Sequence, residues 1–223
     1  MKNRLLSVLL AGALVLSMGV SAFADTPPTD GMDRDHEINA WIQNLKDVSP
    51  DDWFYPILPG IYDVMQGVSE TQFAPNQSMT RAMFATILYR LDGGNGTGTA
   101  DVFTDVPAGQ WYTDAVNWAA ENKIVSGIGD NRFDPNSNVT REQMAVMLKN
   151  FSDYKQDELR VRDTPADYSS FSDVSKVSSW AEESMKWAVE KCLMKGTTVG
   201  LEPQATATRA QVAQLMYNYI ISR

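Results

Sequence analysis

The chain has 223 residues with a single cysteine, Cys192, and a single histidine, His36, so an intrachain disulfide framework and a Cys/His metal site are both excluded. Its formal net charge of −9 argues against nucleic acid and anionic membrane as partners. Hydrophobic residues make up 43% of the chain, enough to bury a core.

In chain order, the first segment reads as a leader. Lys2 and Arg4 precede an apolar run from Leu5 to Val20, and Ala22-Phe23-Ala24 offers a small-x-small cleavage site. That pattern predicts a secretory signal peptide over residues 1–24, too short and too weakly flanked for a membrane-spanning helix. Without Lys2 and Arg4 the net charge goes from −9 to −11. Residues 25–44 read as a polar lead-in containing Pro27-Pro28. A nucleophilic mechanism would have to use His36 from this segment, which speaks against one.

From residue 45 onward one pattern occurs three times. It opens with Leu45-Lys46-Asp47-Val48, Phe103-Thr104-Asp105-Val106 and Phe171-Ser172-Asp173-Val174. A tryptophan follows (Trp53, Trp111, Trp180), then a glycine (Gly67, Gly127, Gly196). An apolar-x-Pro comes next at Phe73, Phe133 and Leu201, and Thr-Arg closes the series at Thr80-Arg81, Thr140-Arg141 and Thr208-Arg209. The copies span 45–91, 103–151 and 171–223, separated by a Gly-rich linker over 92–102 and a polar linker over 152–170. Each predicts a helix, a loop of about a dozen residues and a second helix. The second helices carry apolar stripes at i, i+3, i+4, i+7: Phe84 to Leu91, Met144 to Phe151, Val212 to Tyr219. The first helices align over Asp114–Lys123 and Glu183–Cys192, with Trp118-Ala119 and Trp187-Ala188 inward. In the first copy Pro56 and Pro59 cost regular helix.

The recurring residues suit particular chemistry. Thr80, Thr140 and Thr208 are predicted N-caps, with Gln143 and Gln211 completing capping boxes in the last two copies. Arg81, Arg141 and Arg209 stand at a first helical position, where a cation meets the positive end of the helix dipole at a cost of roughly 0.3–1 kcal/mol. Two readings explain them: an anionic ligand held by guanidinium and free helix N–H groups, or an internal ion pair with Asp47, Asp105 or Asp173. Those aspartates could alternatively cap a turn through their own backbone. For the tryptophans a core position is the leading reading, against stacking on a sugar at a groove rim. Gly67, Gly127 and Gly196 suit a left-handed or closely packed turn. Cys192 reads as a small apolar residue. The oxygens of Asp130-Asn131-Arg132-Phe133-Asp134 have calcium-loop-like spacing, but the Gly and terminal Glu of such a loop are missing, so a polar turn is expected.

This series resembles the S-layer homology domain, over about Leu45 to Ile220, most closely in the second copy. The resemblance implies an all-α fold in which three helix-loop-helix repeats form a pseudo-threefold, three-pronged bundle. It implies an exported protein at the bacterial cell surface, in the cell wall or S-layer, held non-covalently to an anionic secondary cell-wall polymer, often a pyruvylated glycan, or to modified peptidoglycan. The ligand-binding positions implied, in grooves between repeats, are Arg81, Arg141, Arg209, Asp47, Asp105, Asp173, Trp53, Trp111, Trp180, Gly67, Gly127 and Gly196. Lys123 and Cys192 stand where the family usually has Gly, Leu201 where it usually has Phe, and the first copy departs most, so the groove between copies two and three is favoured. No catalytic residue, metal or other cofactor, nucleic acid or inserted membrane segment is expected. A surface adaptor or lattice component docking another surface protein is the alternative, and a carboxylate-based wall hydrolase finds no distinctive residue pair.

Overall fold

A computed structural model describes residues 31–95, 98 and 102–223. The expected leader over 1–24 lies outside the described residues, as does part of the Gly-rich linker. Among the described residues there are seven α-helices and three short 3-10 turns, and no β-strand, only isolated bridges. The all-α expectation therefore holds.

The polar lead-in contains a helix, α1 (Gly31–Asn44). Its few apolar residues are spaced to face inward: Ile38 and Ile42 are buried, and Trp41 meets Tyr62 edge-on at 5.2 Å. The first copy then contributes a 3-10 turn, Tyr55–Ile57, and the single-turn α2 (Leu58–Ile61), with Pro56 and Pro59 early in each. The shortening follows from the missing N–H groups of those prolines. Its second helix is α3 (Arg81–Leu91). The second copy forms α4 (Thr113–Glu121) and α5 (Arg141–Lys155), and the third forms α6 (Glu182–Glu190) and α7 (Arg209–Ser222).

Helices α4 and α6 end sooner than the sequence alignment suggests, so the loops that follow are longer than a dozen residues. Lys123 and Cys192, both at φ 58°, adopt the left-handed conformation that stops a helix. The Ile124 N–H then reaches back to the Ala119 carbonyl at 2.8 Å, and Leu193 to Ala188 at 2.9 Å. This is the Schellman closure, with a buried apolar residue immediately after it.

The second helices start as predicted. Thr80, Thr140 and Thr208 accept N–H bonds from Met83, Gln143 and Gln211, and the last two complete capping boxes. The predicted stripes are buried, with Leu91 alone partly exposed.

The helix partners were not predicted. Each second helix packs on the first helix of the next copy: α3 on α4, α5 on α6, and α7 back on α2. A copy is therefore not a self-contained hairpin, because its apolar faces are completed by its neighbours. Backbone bonds just before the second helices close the same circuit. Met79 N–H donates to Ala207 (3.0 Å), Ala207 to Val139 (3.4 Å), and Val139 to Met79 (2.9 Å). All three residues are fully buried.

Candidate functional site

The recurring polar residues of the three copies converge at three joints between copies. The aspartates come first. Asp47 accepts the N–H groups of Phe73 and Ala74 at 2.8 and 2.7 Å. Asp105 does the same for Phe133 and Asp134, and Asp173 for Leu201 and Glu202, all at 2.8 Å. The second residue of each pair is left-handed: Ala74 at φ 56°, Asp134 at 60° and Glu202 at 50°. Such a conformation costs a non-glycine residue about 1–2 kcal/mol. Two charge-assisted bonds offset it. The aspartates do cap a turn, but a remote one 26 to 29 residues further along the chain and not their own.

The arginines complete the joints. Arg81 Nε donates to the Phe133 carbonyl at 2.8 Å and Nη2 to Ser126 at 3.0 Å. Arg141 donates to Leu201 (2.7 Å) and Lys195 (2.8 Å), and Arg209 to Phe73 (2.7 Å) and Gln66 (2.6 Å). Each arginine thus reaches into the following copy, and the third reaches the first. The carbonyl it meets and the N–H held by the aspartate belong to one peptide unit. Arginine and aspartate are therefore paired through a peptide bond, Arg81 with Asp105, Arg141 with Asp173 and Arg209 with Asp47.

This corrects the expectation of outward guanidinium groups. Arg81, Arg141 and Arg209 are only 5, 6 and 6% exposed. Burial lowers the pKa of all three, Arg209 to about 10, and a nearby carboxylate opposes the shift in each. At neutral pH they remain charged. The helix-start N–H groups are engaged as well: Arg81 and Ala82 donate to Ser137 and Pro135, Arg141 and Glu142 to Ala205 and Pro203, and Arg209 and Ala210 to Gln77 and Pro75. The expected free helix N–H groups are therefore already used at these two positions. Neither direct ion pair nor exposed cation describes the arrangement. Arg81 and Arg209 also lie over the Phe133 and Phe73 rings, at 4.6 and 5.1 Å. Leu201 offers Arg141 no such ring.

The glycines serve close packing. A Cβ on Gly67 would sit 2.5 Å from the Gln72 carbonyl oxygen, on Gly127 2.6 Å from that of Arg132, and on Gly196 2.3 Å from Phe171 Cε1. The preceding carbonyls, of Gln66, Ser126 and Lys195, are the ones that receive the arginine Nη2.

The tryptophans reverse the leading expectation. Trp53, Trp111 and Trp180 are 60, 49 and 58% exposed, while the residues after them, Phe54, Tyr112 and Ala181, are buried. In each pair the inward residue is the second one, which the spacing alone did not distinguish. Trp53 and Trp111 rest edge-on against Phe54 and Tyr112. Shallow clefts open beside the aspartate turns. One of about 390 Å³ is lined by residues including Asp173, Lys176, Glu202 and Gln204, and one of about 300 Å³ by Phe103, Thr104, Val106, Pro107 and Ala108.

The calcium-like segment is a polar turn: Asp130 and Asn131 are left-handed, and Gly129 bridges to Arg132. Among the described residues no cluster suited to a metal ion occurs, and no helix is long and apolar enough to cross a membrane. Sequence reasoning missed Glu142, Gln204 and the loop carbonyls. Gln204 could have been found as the side chain following the third Pro.

Comparison with known proteins places this architecture in context. Residues 102–145 and 170–213 match the family model of the S-layer homology domain. An endoglucanase of Bacillus sp. (strain KSM-635) is 32% identical over 95% of this chain and 21% of its own length. The surface-layer 125 kDa protein of Lysinibacillus sphaericus is 31% identical over 67% of the chain and 12% of its own length. The S-layer protein sap of Bacillus anthracis is 30% identical over 78% of the chain and 21% of its own length. The chain thus spans about a fifth or less of these relatives.

Proposed function

We propose that the protein is a non-catalytic anchor for the bacterial cell surface, binding an anionic wall glycan at the joints between three S-layer-homology repeats. The first copy is included because its Asp47 turn, Thr80 cap and Arg209 partner repeat the bonds of the matched segments. The circuit of helix pairs and backbone bonds supports a pseudo-threefold, three-pronged unit. The apolar run at the start supports export to the surface. The enzymatic relative shares only 21% of its length with this chain, which supports a role common to enzymes and surface-layer proteins rather than catalysis.

The observation that carries this reading is the tryptophan exposed at the same position of all three copies. About half of each indole stays in water in all three copies, and an exposed indole face suits the apolar face of a sugar ring. In this reading Trp53, Trp111 and Trp180 stack on the glycan. Asp47, Asp105 and Asp173, Gly67, Gly127 and Gly196, and Arg81, Arg141 and Arg209 shape the clefts beside them, with the buried arginines supplying positive charge from beneath. Several weak clefts on one chain add avidity.

Co-sedimentation with purified cell walls tests it. The triple variant Trp53→Ala, Trp111→Ala, Trp180→Ala should keep the wild-type melting temperature to within a few degrees and lose at least tenfold in wall affinity. Undiminished retention would contradict the proposal. The adaptor alternative predicts retention that depends on a second surface protein and not on the glycan.

A further inference from the structure

Copies two and three are stitched together by side chains beyond their joint arginine. Glu142, buried at the start of α5, accepts the Ser178 N–H and hydroxyl, each at 3.0 Å. Lys149 on α5 lies 3.5 Å from Glu183 on α6. The polar linker between the two copies is a strap laid on the end of α7. The Arg160 N–H donates to the Ser222 carbonyl at 2.7 Å, and the Arg162 side chain to that of Ile221 at 3.0 Å. Asp157 accepts the Tyr219 hydroxyl and lies 3.2 Å from Arg223. The last carbonyls of α7, which have no partner inside the helix, are met by that strap.

Copy one is attached differently. It meets copy two through α3 on α4, through Arg81, and through Asp92, which is 2.6 Å from Lys155. It meets copy three through α7 on α2 and through Arg209, across 136 and 143 residues of chain. On that second seam copy one offers a single turn of α-helix, Leu58–Ile61. Tyr217 packs flush on it, since a Cβ on Gly60 would stand 2.7 Å from the Tyr217 ring. One segment, the Gly-rich linker, connects copy one to copies two and three. Where that segment leaves α3, Gly93 and Gly94 hold φ of 99° and 66°. Glycine takes negative φ as readily, so the chain can straighten at this point. Further on, Gly98 is pressed onto α4, where a Cβ would stand 2.3 Å from the Trp118 amide nitrogen. The hinge therefore begins at Gly93 and ends before Gly98.

We infer that copy one, residues 31–91, is an exchangeable element, and that the partner its joints fit is a second copy of this chain. In the exchanged pair each chain seats its copy one on copies two and three of the other. Both joints of copy one are heterologous: Arg81 reaches out to copy two, and Arg209 of copy three reaches in. A second chain supplies both halves in one arrangement, the Phe133 and Ser126 carbonyls for Arg81 and the Arg209 guanidinium for Phe73 and Gln66. Every joint contact of the closed circuit is remade between chains. The exchange then costs only the freedom lost on association, which concentration offsets. The inference is independent of what the clefts hold.

Refolding residues 25–223 from urea at low and high protein concentration, followed by analytical ultracentrifugation, tests this. The expected result is monomer at low concentration and a species of twice the mass at high concentration. On dilution that species should revert only as fast as copy one detaches. Gly93→Ala with Gly94→Ala penalises the positive-φ turn and should bring the dimer to at least tenfold lower concentration. The contact itself is read by co-refolding two variants, Gly60→Cys with Cys192→Ser and Tyr217→Cys with Cys192→Ser, then oxidising. A disulfide between the two different chains is expected. The alanine variant leaves the joints untouched, so it reads the exchange even where Gly60→Cys fails to fold. Wild-type monomer at every concentration, no shift in the alanine variant, or a dimer of folded cysteine variants without that disulfide would overturn the inference. Each of these results leaves the anchoring function standing.

Discussion

At the scale of single residues, the joints depend on carboxylates that stay ionised. Asp173 is held below the usual aspartate range mainly by the Leu201 N–H, with burial opposing and the Glu202 N–H assisting. Asp105 faces a burial penalty that its bonds from Phe133 and Asp134 outweigh, so it too is lowered. A folded pKa below the unfolded value of about 3.9 means stability that is complete at neutral pH. It is lost as pH falls below about 4 and through the folded values. The melting temperature should therefore be flat from pH 8 to 5 and drop below pH 4. Asp105→Asn and Asp173→Asn should each lower stability at pH 7 by about 1.5–3 kcal/mol and flatten the acid limb. A second prediction concerns the left-handed helix ends. Cys192→Gly removes the Cβ penalty at φ 58° and should raise stability by about 1 kcal/mol in urea denaturation.

At the scale of elements, local rules were enough to place the second helices. The threonine caps, the Gln boxes and the i, i+3, i+4, i+7 stripes all act within one turn or one face, so they could be read from adjacent residues. Thr140→Ala should cost about 1 kcal/mol, measured by thermal unfolding. The ends of α4 and α6 were harder, because a lysine and a cysteine take a conformation that composition assigns to glycine. The orientation of the tryptophans was also not legible. Trp-Phe, Trp-Tyr and Trp-Ala each offer two candidates for one inward position, and only packing decides that the second is buried. The arginines misled for a related reason. A guanidinium at a helix start looks like an anion receptor when the carbonyls that satisfy it belong to another copy, some 45 to 143 residues away.

At the scale of the whole molecule, the consequence of that exchange is interdependence. No copy completes its own core or neutralises its own arginine, and the third copy needs the first. A fragment of residues 102–223 leaves α7 without α2, and Arg209 without the Phe73 and Gln66 carbonyls. It should lack cooperative unfolding and native near-ultraviolet dichroism, and regain both when residues 31–95 are added in trans. The same closure satisfies the arginine charges within the molecule, and it leaves Trp53, Trp111 and Trp180 exposed on its surface. The account then hinges on whether an acidic glycan is what those clefts hold. The most direct measurement is co-sedimentation of residues 25–223 with intact walls and with walls whose acidic substituents have been removed chemically. The account predicts retention on the first and at least tenfold weaker retention on the second. Equal retention on both would contradict it.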